Sequence, residues 1–332
     1  MKIVIYGAGR VGTTAALNLM QADACHQVEI VLYSPHNHKR CEGALMDMED
    51  ACALRNITSK ITFKATSNVA DLANADAVVV CSEGLPSREM YADAAAKGVD
   101  DRLVQAAYGI NQMKQFAAVA EQSPNAVIFV AAKPVDMMCE VLRTLLPQRQ
   151  IYGLGCWLDT ARFKRELLPQ LLAEFKNLQL SDINAFVIGH HNGTMFLHEN
   201  SFAINGLPYR FVNRVELAIR RTKGRELNIT ETNCKAATKV ANNSSYFAIA
   251  RMVSDVLAAF IGGEAVLPMN RQVLRQESAE LAGNYAQLLC RVSQGKVEEL
   301  PMSLASSDIV NLKHCFEVQA QDKQKLEAYI KN

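Results

Sequence analysis

A chain of 332 residues, 49% hydrophobic and 21% charged, is comfortable for two globular domains with buried cores. A net charge of +1 offers no bulk attraction for nucleic acid or for a membrane surface. Apolar stretches such as 73–81, interrupted by Asn74 and Asp76, and 126–132 are too short to span a bilayer.

Lys2, Ile3, Val4, Ile5 and Tyr6 form an apolar, β-branched run that reads as a strand. It meets Gly7-Ala8-Gly9-Arg10-Val11-Gly12, then a helical stretch over 13–20 and a second strand over 28–33. Strand, glycine turn, helix and strand make one βαβ unit. Its glycines serve the tight turn, backbone approach to a pyrophosphate, and close packing of helix on strand. Gly7, Gly9, Arg10, Val11 and Gly12 are therefore expected to line a dinucleotide. At the end of the second strand a carboxylate would hold the ribose hydroxyls of NAD. This chain has Ser34 there, then Pro35, His36, Asn37, His38, Lys39 and Arg40, with no acid before Glu42. A hydroxyl and several cations equally suit the extra phosphate of NADP, so NAD and NADP both stay open.

Further strands are expected at 60–65, 77–81, 126–132 and 151–154, separated by helices at 43–54, 101–122 and 135–146. Continuous apolar strands alternating with helices predict an α/β, Rossmann-type doubly wound parallel sheet over 1–150. After residue 150 the pattern predicts an α+β substrate domain over 151–332. It holds a helix at 160–175, strands at 185–188 and 195–203, and helices at 211–223 and 230–261. A strand-rich piece and a helix at 306–329 close the chain.

Chemistry concentrates in Leu158-Asp159-Thr160-Ala161-Arg162-Phe163 and, downstream, Gly189-His190-His191-Asn192-Gly193. A carboxylate can orient an imidazole, and the imidazole can exchange a proton near neutral pH. A guanidinium can grip a carboxylate with two parallel hydrogen bonds. Asp159 and Arg162 lie three apart, so a helix puts them on one face. The set suits redox chemistry at a carbon bearing a hydroxyl beside a carboxylate. Alternatives are a surface ion pair with two loop histidines, a metal held by His190 and His191, and a non-catalytic dinucleotide-binding or redox-sensing protein. No second histidine or cysteine stands at metal-ligand spacing, so no metal is expected. The nine cysteines show no CxxC pair, as for reduced thiols in a cytoplasmic protein. The first apolar run leads straight into the glycine motif, unlike a secretory leader.

Together the opening GAGRVG, Gly43-Ala44-Leu45-Met46-Asp47-Met48, Pro134-Val135-Asp136, LDTARF and the Gly189-His190-His191 loop resemble the lactate/malate dehydrogenase family. The resemblance spans nearly the whole chain. It implies His191 as acid/base, Asp159 as its partner and Arg162 as anchor for the carboxylate of a 2-oxo or 2-hydroxy acid. It also implies loop arginines at Arg102 and Arg88, a pocket hydroxyl at Ser245, and a homodimer or homotetramer with the 43–54 helix at an interface. The chain departs from the family pattern near the site. The 84–102 segment is long, Lys133 replaces an asparagine that holds substrate and nicotinamide, and Tyr108 replaces another. His190 replaces an acid, and Asn192-Gly193-Thr194 replaces glycine-aspartate-serine. A lysine at 133 still donates hydrogen bonds but adds a charge that disfavours imidazolium. These changes leave the substrate's remaining substituent open.

Overall fold

The computed structural model describes residues 1–21, 27–54, 60–82, 86–96, 98–172, 175–208 and 246–331. Six strands run parallel: β1 (Lys2–Tyr6), β2 (Val28–Tyr33), β3 (Ile61–Thr66), β4 (Ala77–Val80), β5 (Val127–Val130) and β6 (Ile151–Leu154). Their order is 3-2-1-4-5-6, with the reversal between β1 and β4. That is where a doubly wound sheet opens a crevice at its carboxyl edge. The sheet does not stop at β6. Strands β12 (Glu264–Gln272), β13 (Tyr285–Ser293) and β14 (Lys296–Glu299) continue it antiparallel to nine strands, with β12 paired to β6.

Strand β1 shows why both faces are covered. Ile3 and Ile5 point into one core, beside α1 (Arg10–Met20) and α7 (Phe247–Ile261). Val4 and Tyr6 point into the other, beside α4 (Asp101–Ala120) and α5 (Val135–Leu145). The two-residue period of a strand makes this division. Every residue of β4 and β5 is buried, as a parallel sheet between helices requires. Trp157 packs on the α1–α7 side.

The outer half adds α6 (Cys156–Leu171) and five two-residue strands: β7 (Ile183–Asn184), β8 (Val187–Ile188), β9 (Phe196–Leu197), β10 (Ala203–Ile204) and β11 (Leu207–Pro208). The long helix α8 (Ser306–Lys331) ends the chain. Among the described residues no helix is long and apolar enough to cross a membrane.

Three helices begin earlier than their apolar spacing indicates. Helix α1 starts at Arg10, not 13, so the glycine motif forms its first turn. Helix α2 (His38–Ala53) starts five residues before 43 and takes in His38, Lys39 and Arg40. Helix α6 starts at Cys156, four residues before 160, which brings Asp159 into its first turn. Apolar periodicity finds the buried middle of a helix and misses a polar first turn.

The expected loop at 84–102 contains a helix, α3 (Arg88–Ala96). The Ser87 hydroxyl accepts from the Met90 N–H at 3.2 Å, capping it. Gly98 N–H donates to Ala95 O and Val99 N–H to Ala94 O, a glycine-ended C-terminus. The single strand expected at 195–203 is broken by a 3-10 turn at Glu199–Ser201. There the Ser201 hydroxyl donates to His198 O and accepts from Phe186 N–H. The expected helix at 211–223 lies outside the described residues, and the one at 230–261 is described only as α7.

Candidate active site

The carboxyl edge carries the chemistry. Gly7 follows β1 with φ +105°, and a Cβ there would stand 2.5 Å from the Ser82 nitrogen after β4. A Cβ on Gly12 would strike the Gly7 carbonyl oxygen, so helix and strand pack as close as glycine allows. Gly9 is exposed, caps α1, and has open space where its Cβ would be. Helix α1 has no side-chain cap and no acid in its first turn, leaving its N–H groups and positive end for an anion. The cradle fits a dinucleotide pyrophosphate. Val11 is half-buried against the core, and Arg10 is exposed with its guanidinium 5.7 Å from the Tyr246 ring centre.

Ser34 lies half-buried just after β2, with its N–H on Thr66 O at 3.0 Å. His36, Lys39 and Arg40 are exposed, while His38 Nε2 meets Glu42 at 3.0 Å across one helical turn. The acid absent from the end of β2 thus reappears beside the basic run, within hydrogen-bonding distance of His38.

Asp159, His191 and Arg162 come together. The Asp159 carboxylate is fully buried; Oδ2 meets His191 Nδ1 at 2.5 Å and Oδ1 accepts from Arg162 Nη1 at 3.1 Å. The His191 side chain is 21% exposed and that of Arg162 13%, so both reach the surface of the site from a buried anchor. With Nδ1 held by a carboxylate, Nε2 is the nitrogen turned to other chemistry. The next hydroxyl on α6 serves the fold instead: Thr160 Oγ1 accepts from Val187 N–H at 2.9 Å and ties the helix to β8.

His190 is buried and bonds through Nε2 to the Tyr285 carbonyl oxygen at 2.9 Å. The adjacent imidazoles thus serve different partners. Lys133 is half-buried after β5, joined to Pro134 by a cis peptide, with Pro134 capping α5. Arg88 begins α3 and Arg102 lies in the first turn of α4, where Asp100 Oδ1 accepts its N–H. Both arginines are exposed, and neither joins the Asp159 group. Ser245 lies outside the described residues.

The sequence reading missed a polar cluster behind His191. Its backbone N–H donates to Asp136 Oδ2 at 2.7 Å, and Asp136 is buried with Asn270 and Gln287. One signal was available: Gln287 interrupts the apolar run of β13 between Ala286 and Leu288, and a polar side chain in such a place is buried only with partners. Nearby thiols are poor nucleophiles. Burial pushes Cys139 up to about 12 and Cys315 up to about 11.

Residues 1–153 match the family described as lactate/malate dehydrogenase, NAD binding domain. The malate dehydrogenase of Oceanobacillus iheyensis is 30% identical over 294 residues, covering 86% of this chain and 82% of the relative. That of Methanosphaera stadtmanae is 32% identical over 224 residues, 66% of this chain and 65% of the relative. Among solved structures, lactate dehydrogenase from Eimeria maxima with NADH and oxamate superposes with a TM-score of 0.79 at 18% identity, covering 99% of this chain and 95% of that one. Malate dehydrogenase from Plasmodium falciparum gives 0.76 at 16% identity, covering 99% of each chain. These two likenesses establish the fold.

Proposed function

The chain belongs to the lactate/malate dehydrogenase family, an NAD-dependent oxidoreductase of a 2-hydroxy acid/2-oxo acid pair, and on that premise we propose that His191, Asp159 and Arg162 carry its chemistry. The observation that supports this most is the shared carboxylate: one buried Asp159 holds the imidazole on one oxygen and the guanidinium on the other. A bound nicotinamide supplies or accepts the hydride. Everything else falls to side chains. In the reducing direction His191, protonated and held through Nδ1, gives the Nε2 proton to the substrate oxygen. Asp159 fixes the tautomer and stabilises the imidazolium. The planar fork of Arg162 matches the substrate carboxylate and orients the carbonyl carbon.

Arg88 lies in the β4–α4 connection and Arg102 in the first turn of α4 that follows it, and the connection leaves the sheet at the same carboxyl edge. Arg102 would stabilise charge growing on the carbonyl oxygen. Lys133 and Ser245 complete the proposed pocket. Gly7, Gly9, Arg10, Val11 and Gly12 line the pyrophosphate, and Ser34 the adenosine ribose. Ser34 with exposed His36, Lys39 and Arg40 supports acceptance of NADP beside NAD. On the same reading residues 1–150 serve as a cofactor domain and residues 151–332 as a substrate domain, with one sheet running across the boundary through β6 and β12. Self-association through α2, which exposes Met46 and is followed by exposed Leu54, and a cytoplasmic setting belong to the same reading.

The test is a panel of 2-oxo acids with NADH and NADPH side by side. The relatives named as malate dehydrogenases put oxaloacetate first, with pyruvate next. The reading expects reduction of at least one acid, its loss in His191→Asn, and NADH binding preserved in that variant. Equal reduction of simple aldehydes would exclude the role of Arg162. A fluorescence titration strongly favouring NADH over NADPH would remove NADP. Turnover by no acid would leave a dinucleotide-binding protein.

A further inference from the structure

A second buried carboxylate stands behind His191, and the scheme above does not use it. Asp136 is 6% exposed, in the first turn of α5. Its Oδ1 accepts from Asn270 Nδ2 at 2.6 Å and from Gln287 Nε2 at 3.0 Å. Its Oδ2 accepts the backbone N–H of His191 at 2.7 Å. The two amides come from directly opposed residues of β12 and β13.

Neither amide is free to turn round. Asn270 Oδ1 accepts from Arg143 Nη1 at 2.6 Å, and an arginine only donates. Gln287 Oε1 accepts the Cys156 N–H at 3.2 Å, again a donor only. Both NH2 groups must therefore face Asp136. Three donors converge on one side chain, and a carboxylate is the group that accepts all three. Arg143 is locked in turn by the carbonyls of Ile151 and Asn270 and by stacking on the Tyr285 ring at 3.7 Å. The histidine loop docks on the same strand: Gly189 and Gln287 exchange backbone hydrogen bonds, and His190 reaches Tyr285 O.

We propose that Asp136 is a positioning residue for the acid/base histidine, fixing the His191 backbone while Asp159 fixes its ring. The inference rests on the proposed role of His191. Helix α5, β12 and β13 thereby determine where the imidazole stands relative to the cofactor edge.

The substitution Asp136→Asn separates this role from simple stability. The new amide has one acceptor. Two locked donors claim it, so its NH2 group turns against the His191 N–H and releases the loop. Adding Asn270→Asp supplies an acceptor opposite that NH2 group, beside Arg143, and returns the amide oxygen to His191; the rescue is partial, because the locked Gln287 NH2 group then faces a second donor. For Asp136→Asn we expect kcat about 10- to 100-fold lower, the scale seen when groups that orient a reacting residue are removed. The KM of the 2-oxo acid and the NADH dissociation constant should stay within about threefold. The double variant should regain at least about fivefold in kcat. A kcat for Asp136→Asn within about twofold of the unmodified enzyme overturns the proposal, as does a folded double variant that regains nothing. If the single variant does not fold, a folded double variant with kcat within about tenfold of the unmodified enzyme supports the proposal and a lower one overturns it. Failure of both to fold assigns the cluster to stability alone and also overturns it. An unmodified enzyme that reduces no 2-oxo acid would instead defeat the reading of His191.

Discussion

An alanine at position 155 would bring its Cβ to 2.6 Å from His191 Cβ and 2.8 Å from Cγ. Carbon atoms rest about 3.5–4.0 Å apart, so the imidazole must retreat by about 1 Å. It has little freedom to do so. Its backbone N–H is held by Asp136 at 2.7 Å, and its Nδ1 by Asp159 at 2.5 Å. The displacement therefore falls on the ring and on the proton it delivers. A misplacement of about 1 Å in a reacting group costs on the order of 100-fold in rate. At about 1.4 kcal/mol per tenfold, that is about 2.8 kcal/mol of barrier. Overpacking adds about 1–3 kcal/mol of lost stability. The assay is steady-state reduction of the best 2-oxo acid by Gly155→Ala, with NADH titration and a melting curve on the same sample. The expected result is a large fall in kcat with NADH affinity kept, because the glycine cradle after β1 is remote in the sequence and untouched. A folded variant with kcat within about twofold of the unmodified enzyme would refute the steric argument and the role of His191 with it.

Gly12→Ala should act on the other half of the site. Its Cβ meets the Gly7 carbonyl, so α1 must move off the sheet; NADH affinity by fluorescence should fall more than about tenfold, with about 1–3 kcal/mol of stability lost on chemical denaturation. Burial also sets a pH-dependent outcome for the thiols. It pushes Cys41 and Cys315 up to about 11 and Cys139 and Cys290 up to about 12, so these four stay thiols until well above pH 8. Iodoacetamide at pH 8, read by peptide mass spectrometry, should modify them only after unfolding; rapid labelling of folded protein would contradict their burial.

The dehydrogenase chemistry was legible because scarce residue types stand at short spacing. Asp159 and Arg162 share one helical face, and the glycine motif follows a strand. The parallel strands were legible because apolar, β-branched runs survive in any order of pairing. The cluster around Asp136 was not, because its partners lie 134 and 151 residues away and meet only when β12 and β13 join the sheet. Helix α3 was overlooked despite local signals: a serine cap at Ser87, an alanine-rich body and a glycine at 98. A long polar insertion invites the expectation of a loop, and capping residues outweigh it. The basic run after Ser34 reads in the sequence as a set of cations with no acid among them, because apolar spacing does not reveal that α2 starts at His38 and brings Glu42 one turn away.

The antiparallel extension of the sheet has a practical consequence for anyone dissecting this chain. β6 bonds to β5 on one side and to β12 on the other. A fragment cut at residue 150 would lose β6 and bare the fully buried strand β5 along its whole length. Such an edge offers unpaired N–H and C=O groups and an apolar face to any passing strand, the recipe for aggregation. A recombinant cofactor half should therefore end beyond β6, with charged or proline residues placed along that strand's outer edge, if it is to remain in solution as a monomer.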